Sequence, residues 1–291
     1  MKLLTKLNLV LILASGIGGL IIARMAYDFL MQNAREQVFE QAELMMASAR
    51  ATRDYTSEDI KPLLLKHPKH KTDFLPEVVP AFAANTVFNQ MRKEYPDYSY
   101  REATMNPTNP VDKADDWETD VIRWFNDHHD ADRMVGERET PMGRQLYLAK
   151  PIVVDTSCLE CHSTPAAAPA AMIEKYGSAN GFGWKPGQVL TAQIVSVPMS
   201  VPIQVADKAF QRLLFFLVVT FIVSILAFDV VLYLLVIRPL HKVCVAADRI
   251  STGETDLAEL QVSGRDEIAD VTASFNRMHR SLKKALKMLD H

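Results

Sequence analysis

Two cysteines and a histidine fall within five residues of one another, in the order Cys158-Leu159-Glu160-Cys161-His162. Cysteines at this spacing can reach the two vinyl groups on one edge of a porphyrin, and the adjacent histidine then lies beneath the iron. The spacing therefore predicts one covalently bound haem c. Cys158 and Cys161 would form the thioethers, and His162 would be the proximal iron ligand.

Other chemistry fits the same residues less well. A structural zinc site needs a second ligand pair, and the one further cysteine, Cys244, is predicted to lie across a membrane. A thioredoxin-type dithiol would follow a strand in a βαβ unit, which the neighbouring sequence does not indicate. A plain disulfide or two unreactive thiols is the remaining alternative.

The sixth iron ligand would decide the chemistry of such a haem. Met142 is the first candidate, because it precedes the strand leading to the haem motif and a hairpin could return its sulfur to the distal side. A thioether ligand raises the reduction potential relative to bis-histidine or thiolate ligation. Met105, His128, His129 and Met199 are the alternatives, although each taken alone is more often a packing or solvated residue. An iron without any of them would be open to O₂, NO or CO.

Two apolar runs predict membrane spans. The first, Leu7 to Ala23, would form about 25 Å of helix, and the second, Leu213 to Ile237, carries a single charge, Asp229. No small-x-small cleavage site follows the first run, which favours an uncleaved anchor over a signal peptide. Asp229 is either a contact between spans in a dimer or a protonated or water-reached side chain without a role.

Basic residues flank these runs on their outer sides, with Lys2 and Lys6 before the first and Arg238 and Lys242 after the second. The positive-inside rule therefore predicts a bacterial inner-membrane protein with both termini in the cytoplasm. The region between the spans would be periplasmic, where c-type haem is attached. The predicted divisions are a cytoplasmic N-terminus 1–6, a first span 7–24, a periplasmic haem domain 25–211, a second span 212–237 and a cytoplasmic segment 238–291. A net charge of −3 gives no indication of a nucleic-acid partner.

The segment after the second span contains two apolar stripes at alternating spacings of four and three, which is typical of coiled-coil helices. The stripes comprise Val236, Leu240, Val243, Ala247 and Ile250, then Ile268, Val271, Phe275, Met278 and Leu282. A connector that can pack back through Leu260 and Val262 joins them, and Asp266 precedes the second helix. The segment resembles a HAMP linker domain, which implies a parallel, dimeric four-helix bundle. No kinase or cyclase sequence follows, so a sensor would need a separate cytoplasmic partner.

The region between the spans predicts an α+β fold. Helices are expected over Ala26–Ala51, continuing the first span, over Leu75–Met91, and around Trp117–Phe125. Strands are expected over Arg144–Val154 and Val189–Val197, giving a sheet with helices on one side.

An ordered set of motifs in this region resembles a bacterial family of single-haem, c-type, PAS-like domains formerly of unknown function. The motifs are Asn106-Pro107-Thr108-Asn109-Pro110, Trp117-Glu118, Ala149-Lys150-Pro151, the Cys158–His162 segment and Gly181-Phe182-Gly183-Trp184. The resemblance spans roughly residues 25–205 and implies a periplasmic, antiparallel PAS-like sheet that carries haem c for redox or small-ligand sensing. Some members use a cysteine thiolate as sixth ligand, but this chain has no spare extracytoplasmic cysteine.

Three functions follow in order of preference. The first is a membrane-anchored c-type haem sensor of redox state or a small gas, which signals as a homodimer through HAMP to a cytoplasmic partner. The second is a membrane-anchored monohaem cytochrome that exchanges electrons with a periplasmic redox partner. An enzymatic function such as a peroxidase has little support, because no distal acid–base pair can be named.

Overall fold

A computed structural model describes residues 3–67, 73–254 and 256–289. Lys2, used above for topology, and the last two residues of the predicted cytoplasmic segment lie outside the described residues. The chain divides into two compact units, one formed by residues 1–26 with 211–291 and one by residues 27–210.

The unit of residues 27–210 contains a four-stranded antiparallel sheet in the order β1-β4-β3-β2. Its strands are β1 (Ser99–Thr104), β2 (Met134–Thr140), β3 (Gly143–Val153) and β4 (Val189–Pro198). The α+β prediction is confirmed, and so are the two predicted strands within a residue at each end. β1 and β2 were not predicted.

Helices pack on both faces of this sheet. The helices of this part of the chain are α1 (Leu3–Tyr55), α2 (Lys61–Leu64), α3 (Pro80–Met91), α4 (Asp116–Asp127), α5 (Leu159–His162) and α6 (Ala170–Tyr176), with short 3₁₀ turns at Pro76–Val78 and Pro110–Asp112 and a π-helical turn at Thr56–Ile60. The predicted helices in α1 and α4 are confirmed, and the one predicted over Leu75–Met91 is present from Pro80 onward, after a 3₁₀ turn.

Two apolar cores show why the expectation of helices on one side is wrong. Residues of α1 and α3, such as Val38 and Phe88, pack against Leu148 on one face of the sheet. Ile122 of α4 packs against Ala149 on the opposite face. Because neighbouring residues of a strand point to opposite faces, one sheet can bury both sets. β4 is consequently buried along almost its whole length.

A buried ion pair ties α1 to the sheet. The Arg53 guanidinium contacts the Glu102 carboxylate of β1, which is 4% exposed. The Tyr100 hydroxyl donates to Glu102 Oε1 at 2.8 Å, and Gln193 Nε2 donates to the Tyr100 hydroxyl at 3.0 Å. This network crosses α1, β1 and β4, so it fixes the helix to the two strands.

The other unit contains two helices long and apolar enough to cross a membrane: the first part of α1, and α7 (Ser200–Leu232), which runs on through a π-helical turn at Tyr233–Ile237 into α8 (Arg238–Ser251). Asn8 Nδ2 donates to Asp229 Oδ2 at 3.1 Å. Asp229 therefore pairs with the other apolar helix of its own chain.

The predicted pair of helices after the second apolar run is present as α8 and α9 (Glu267–Leu289). The Asn276 side chain holds the connector, since it accepts from the Leu260 amide at 3.0 Å and donates to the Leu260 carbonyl at 2.7 Å. Asp266 Oδ1 accepts from the Ala269 amide at 2.9 Å and so caps the start of α9. The Leu260 backbone thus contacts α9, and Val262 is 46% exposed.

Candidate functional site

The Cys158–His162 segment forms a single helical turn that follows strand β3. Asp155 starts this turn, because its Oδ1 accepts from the Ser157 amide at 2.8 Å, the Ser157 hydroxyl at 2.6 Å and the Cys158 amide at 3.2 Å. These hydrogen bonds hold the pKa of the Asp155 carboxyl below its usual range, the Ser157 hydroxyl contributing most. The His162 amide then bonds to the Cys158 carbonyl at 3.0 Å. One turn of backbone therefore carries both thiols and the imidazole.

His162 is fixed by a backbone carbonyl on a distant loop. Its Nδ1 lies 2.7 Å from the Gly181 carbonyl oxygen and 3.4 Å from the Thr108 hydroxyl. A carbonyl can only accept, so Nδ1 carries the proton in this hydrogen bond. Burial lowers the pKa of His162, which favours the neutral ring, and the Gly181 hydrogen bond partly opposes that shift. The neutral tautomer leaves the Nε2 lone pair available to a metal.

Asn106 anchors the loop that supplies this carbonyl. Its Nδ2 donates to the Phe182 carbonyl at 3.0 Å, and its Oδ1 accepts from the Gly181 amide at 2.9 Å. Gly181 has φ +87°, and a Cβ there would lie 2.1 Å from the Thr108 hydroxyl and 2.8 Å from its backbone. Only glycine fits this close approach. The Asn106–Pro110 turn therefore clamps the 181–184 loop against His162.

Trp184 contacts the face of the His162 ring, whereas Gly181 contacts its Nδ1 edge. The two rings are stacked with centroids 4.0 Å apart and an interplanar angle of 7°. The Trp184 amide donates to the His162 carbonyl at 3.2 Å, and the Gly183 amide donates to the Ser163 carbonyl at 2.9 Å. The imidazole is thus held by a hydrogen bond on one edge and by an aromatic face.

The two thiols are free and half-buried. Burial raises the pKa of Cys158 and of Cys161, while the Lys61 ammonium near Cys161 has an opposing, smaller effect. Both side chains are therefore protonated thiols at neutral pH, the form that adds across a vinyl group to give a thioether. Cys244 lies exposed on α8.

Met142, the first candidate for the sixth ligand, lies far from the haem motif. Met142 is 61% exposed in the turn between β2 and β3, at the start of β3, whereas the haem motif follows the end of that strand. Strand β3 lies between them and, with eleven residues at ~3.3 Å each, is about 36 Å long. Met142 and His162 therefore lie toward opposite ends of the sheet, because the hairpin that contains Met142 turns at the end away from the haem motif.

Met199 lies at the same end of the sheet as Met142, since its amide donates to the Arg144 carbonyl at 3.0 Å. It follows the end of β4, is 1% exposed, and is packed with Val38 and Leu146 in the core on the α1 face. His128 ends α4, where its ring stacks on Trp124 and its Nδ1 lies 2.9 Å from the Trp124 carbonyl.

The two remaining candidates differ in position. His129 is exposed next to His128. Met105 lies at the end of the sheet nearest the haem motif, since its amide donates to the Leu190 carbonyl at 2.9 Å and Asn106 follows it. Its side chain packs against the core on the α4 face. Met105 thus lies at the end of the sheet where the motif follows β3.

Sequence reasoning missed the partners of His162. It identified the Asn106–Pro110 and Gly181–Trp184 motifs as members of an ordered set, but not that they meet at the imidazole. The signal was in the residue types of the two motifs. Asn106–Pro110 consists of turn residues, and Gly181–Trp184 supplies glycines, which are needed where backbones approach closely. Over residues 3–67, 73–254 and 256–289, no three His, Cys, Asp or Glu side chains gather as a metal cluster.

Comparison with known proteins gives two family matches. The family model described as Tll0287-like matches residues 31–198, and the HAMP domain model matches residues 231–284. Among solved structures, the crystal structure of the cyanobacterial haem protein Tll0287 is similar, with 14% sequence identity and a TM-score of 0.43. The alignment covers 55% of this chain and 94% of that one. A search of curated proteins finds no match.

Proposed function

This chain belongs to the Tll0287-like family and carries a HAMP domain, and on that premise we propose that it is a membrane-anchored haem c sensor. One haem is attached through Cys158 and Cys161, and His162 is its proximal ligand. The haem domain lies in the periplasm, the HAMP helices lie in the cytoplasm, and the protein works as a homodimer. Its stimulus is a change of redox state or a small gaseous ligand.

The hydrogen bond from His162 Nδ1 to the Gly181 carbonyl carries this proposal. Histidine ligands of metals commonly donate their second ring N–H to a carbonyl or carboxylate, which fixes the tautomer and increases the basicity of the ligating nitrogen. Here that bond is already made at 2.7 Å, on the same helical turn as two free thiols. The donor set and its orientation therefore fit haem c.

When bound, the haem supplies an iron that changes oxidation state or takes up a small ligand. The two cysteines would tether its edge and His162 would bind the iron, with the imidazole held in place by Gly181, Thr108 and Trp184. Through these contacts, any displacement of His162 would be passed to the backbone of the 181–184 loop.

Strand β4 is the route by which such a force leaves the haem domain. The loop that contacts His162 leads into β4 at Val189, and β4 is followed directly by α7 at Ser200. A strand buried on both faces moves as a rigid unit rather than bending locally. Signalling requires two packings of this element that the haem favours differently. The continuous helix from Ser200 to Ser251 then connects β4 to the HAMP helices.

Optical spectra of the full chain, purified in detergent, test both whether haem c is present and whether its iron binds a small gas. We expect the α and Soret bands of a c-type haem in the dithionite-reduced protein. Bands unmoved by CO would indicate a six-coordinate iron and redox sensing, and ready CO binding would indicate gas sensing. No haem spectrum, after expression in a host that attaches haem c, would contradict the proposal.

Deleting residues 239–291 separates the sensor from the electron carrier. A sensor loses its cellular response without the HAMP helices, whereas a carrier keeps its electron transfer. The matched control is His162→Ala, which impairs both functions. A response that survives the deletion would favour the carrier.

A further inference from the structure

Trp184 has a buried hydrogen-bond donor that the protein leaves unused. Its indole Nε1 is shielded from solvent and has no hydrogen-bond partner among the residues that the structure describes. The surrounding backbone is satisfied, because the Trp184 and Gly183 amides both bond to carbonyls of the haem-motif turn. A buried donor without an acceptor is costly and rare in native proteins. This N–H is therefore suited to an acceptor that the polypeptide does not provide.

The position of the indole limits what that acceptor can be. Its ring lies parallel to the His162 ring at 4.0 Å. An iron bound at Nε2 would lie in the plane of the imidazole, so the porphyrin would stand perpendicular to both rings. The indole would then meet the proximal face of the porphyrin with its edge.

A bound haem c offers one kind of strong acceptor to such an edge. Its pyrrole nitrogens are committed to the iron, and thioether sulfurs are weak acceptors. The propionate carboxylates remain, and a charged acceptor makes the stronger hydrogen bond. We infer that the Trp184 indole N–H donates to a haem propionate, which makes Trp184 a positioning residue for the cofactor. This inference rests on the proposed attachment of haem at Cys158–His162.

A hydrogen bond from Trp184 to a propionate would change the midpoint potential of the iron. A propionate carboxylate that accepts from the indole carries less free negative charge near the iron, and negative charge favours the ferric state. Removing the donor should therefore lower the midpoint potential and raise the pH at which propionate protonation affects that potential.

Trp184→Phe tests the inference, because phenylalanine keeps an aromatic face for His162 and removes the N–H. Trp117→Phe is the matched control, since Trp117 packs on Tyr147 with ring centroids 5.4 Å apart and under the Arg138 guanidinium at 4.0 Å, on the β2–β3 side of the sheet. We expect both variants to keep covalent haem, detected by haem staining after denaturing electrophoresis. Only Trp184→Phe should shift the propionate bending band in the resonance Raman spectrum and lower the midpoint potential. Covalent haem with both readouts unchanged would overturn the inference.

A second measurement covers the outcome in which Trp184→Phe fails to fold. The ultraviolet resonance Raman band that reports indole N–H hydrogen bonding is compared between the wild type and Cys158→Ser/Cys161→Ser, which lacks thioethers. We expect about a third of the band, one of three tryptophans, to shift toward stronger bonding in the wild type. An unshifted band in a wild type that carries haem would refute the role of Trp184, whereas a wild type without haem would refute the proposed function instead.

Discussion

Replacing Asn106 by alanine removes the side chain that anchors the loop behind His162. Two hydrogen bonds are lost, one to the Phe182 carbonyl at 3.0 Å and one from the Gly181 amide at 2.9 Å. Each is worth about 1 kcal/mol net, and a backbone group left buried without a partner costs about 1–3 kcal/mol. We therefore expect the free energy of unfolding of the haem domain to fall by about 2–4 kcal/mol.

The same substitution should also change the midpoint potential of the haem iron. Without Asn106 the Gly181 carbonyl is no longer held 2.7 Å from His162 Nδ1. The imidazole then donates less electron density through Nε2, because the hydrogen bond at Nδ1 is what makes the ring more basic. The midpoint potential should consequently rise, and the haem should be attached in lower yield.

Urea unfolding followed by tryptophan fluorescence measures the first effect, and a potentiometric titration measures the second. Asn109→Ala is the matched control, since Asn109 belongs to the same turn but makes one exposed hydrogen bond, from the Val111 amide at 3.3 Å. We expect a loss of about 0.5 kcal/mol for the control. If Asn106→Ala is no less stable than Asn109→Ala and has the wild-type potential, the clamp on His162 is not what the geometry indicates.

Three further predictions concern neighbouring parts of the haem domain. Gly181→Ala should cost at least about 2 kcal/mol and reduce haem attachment, because of its φ of +87° and the clash with the Thr108 backbone at 2.8 Å. Arg53→Met should cost about 3 kcal/mol in urea unfolding, because it leaves Glu102 buried without its partner. Burial, and to a smaller extent the Glu102 charge, raise the pKa of Asp112 from 3.8 to about 6. The stability of the folded protein therefore depends on pH through this group, and Asp112→Asn should remove that dependence.

The sign of the Asp112 effect follows from linkage. The folded protein holds this proton more tightly than the unfolded chain does, so stability decreases as the pH rises from about 4 to about 6. Asp112→Asn should therefore be more stable than the wild type at pH 7 and equal to it below pH 4. An unchanged pH profile of the unfolding midpoint would refute the assignment.

Each of the other two predictions also has a control. Gly183 has φ +79° with open space around its Cβ position, so Gly183→Ala should cost only the left-handed strain of about 1–2 kcal/mol. Equal losses at the two glycines would contradict the close approach to Thr108. Adding Glu102→Gln to Arg53→Met should recover part of the lost stability, because the unpaired buried charge is gone. A double variant less stable than the single one would contradict this account of the ion pair.

Local features of the chain were predictable from the sequence because their signals are contiguous. The haem motif is five adjacent residues, the apolar helices are long uniform runs, and β3 and β4 are rich in β-branched side chains. β1 and β2 carry charged residues such as Glu102 and Arg138 and so do not have a strand pattern. Glu102 is nevertheless buried, because Arg53 reaches it from a helix 49 residues earlier in the chain. That pairing leaves no local trace in the sequence.

Of the candidate site, only the Cys158–His162 segment was predictable from the sequence. The acceptor for His162 is a backbone carbonyl, which has no side chain to mark it, and its position depends on Asn106, 75 residues before Gly181 in sequence. Met142 shows the opposite effect, because it is close to the haem motif in sequence but not in space. Proximity in sequence to the haem motif suggested proximity in space, but an intervening extended strand carried the two residues apart.

The mass of the intact protein is the most direct test of the central claim. The full chain is purified from a host that attaches haem c and is denatured before mass spectrometry, so that only covalent haem remains. We expect the wild type to be heavier than the polypeptide by one haem and Cys158→Ser/Cys161→Ser to have the mass of the polypeptide alone. A wild type with the polypeptide mass, or a double variant that retains the added mass, would contradict attachment at this motif.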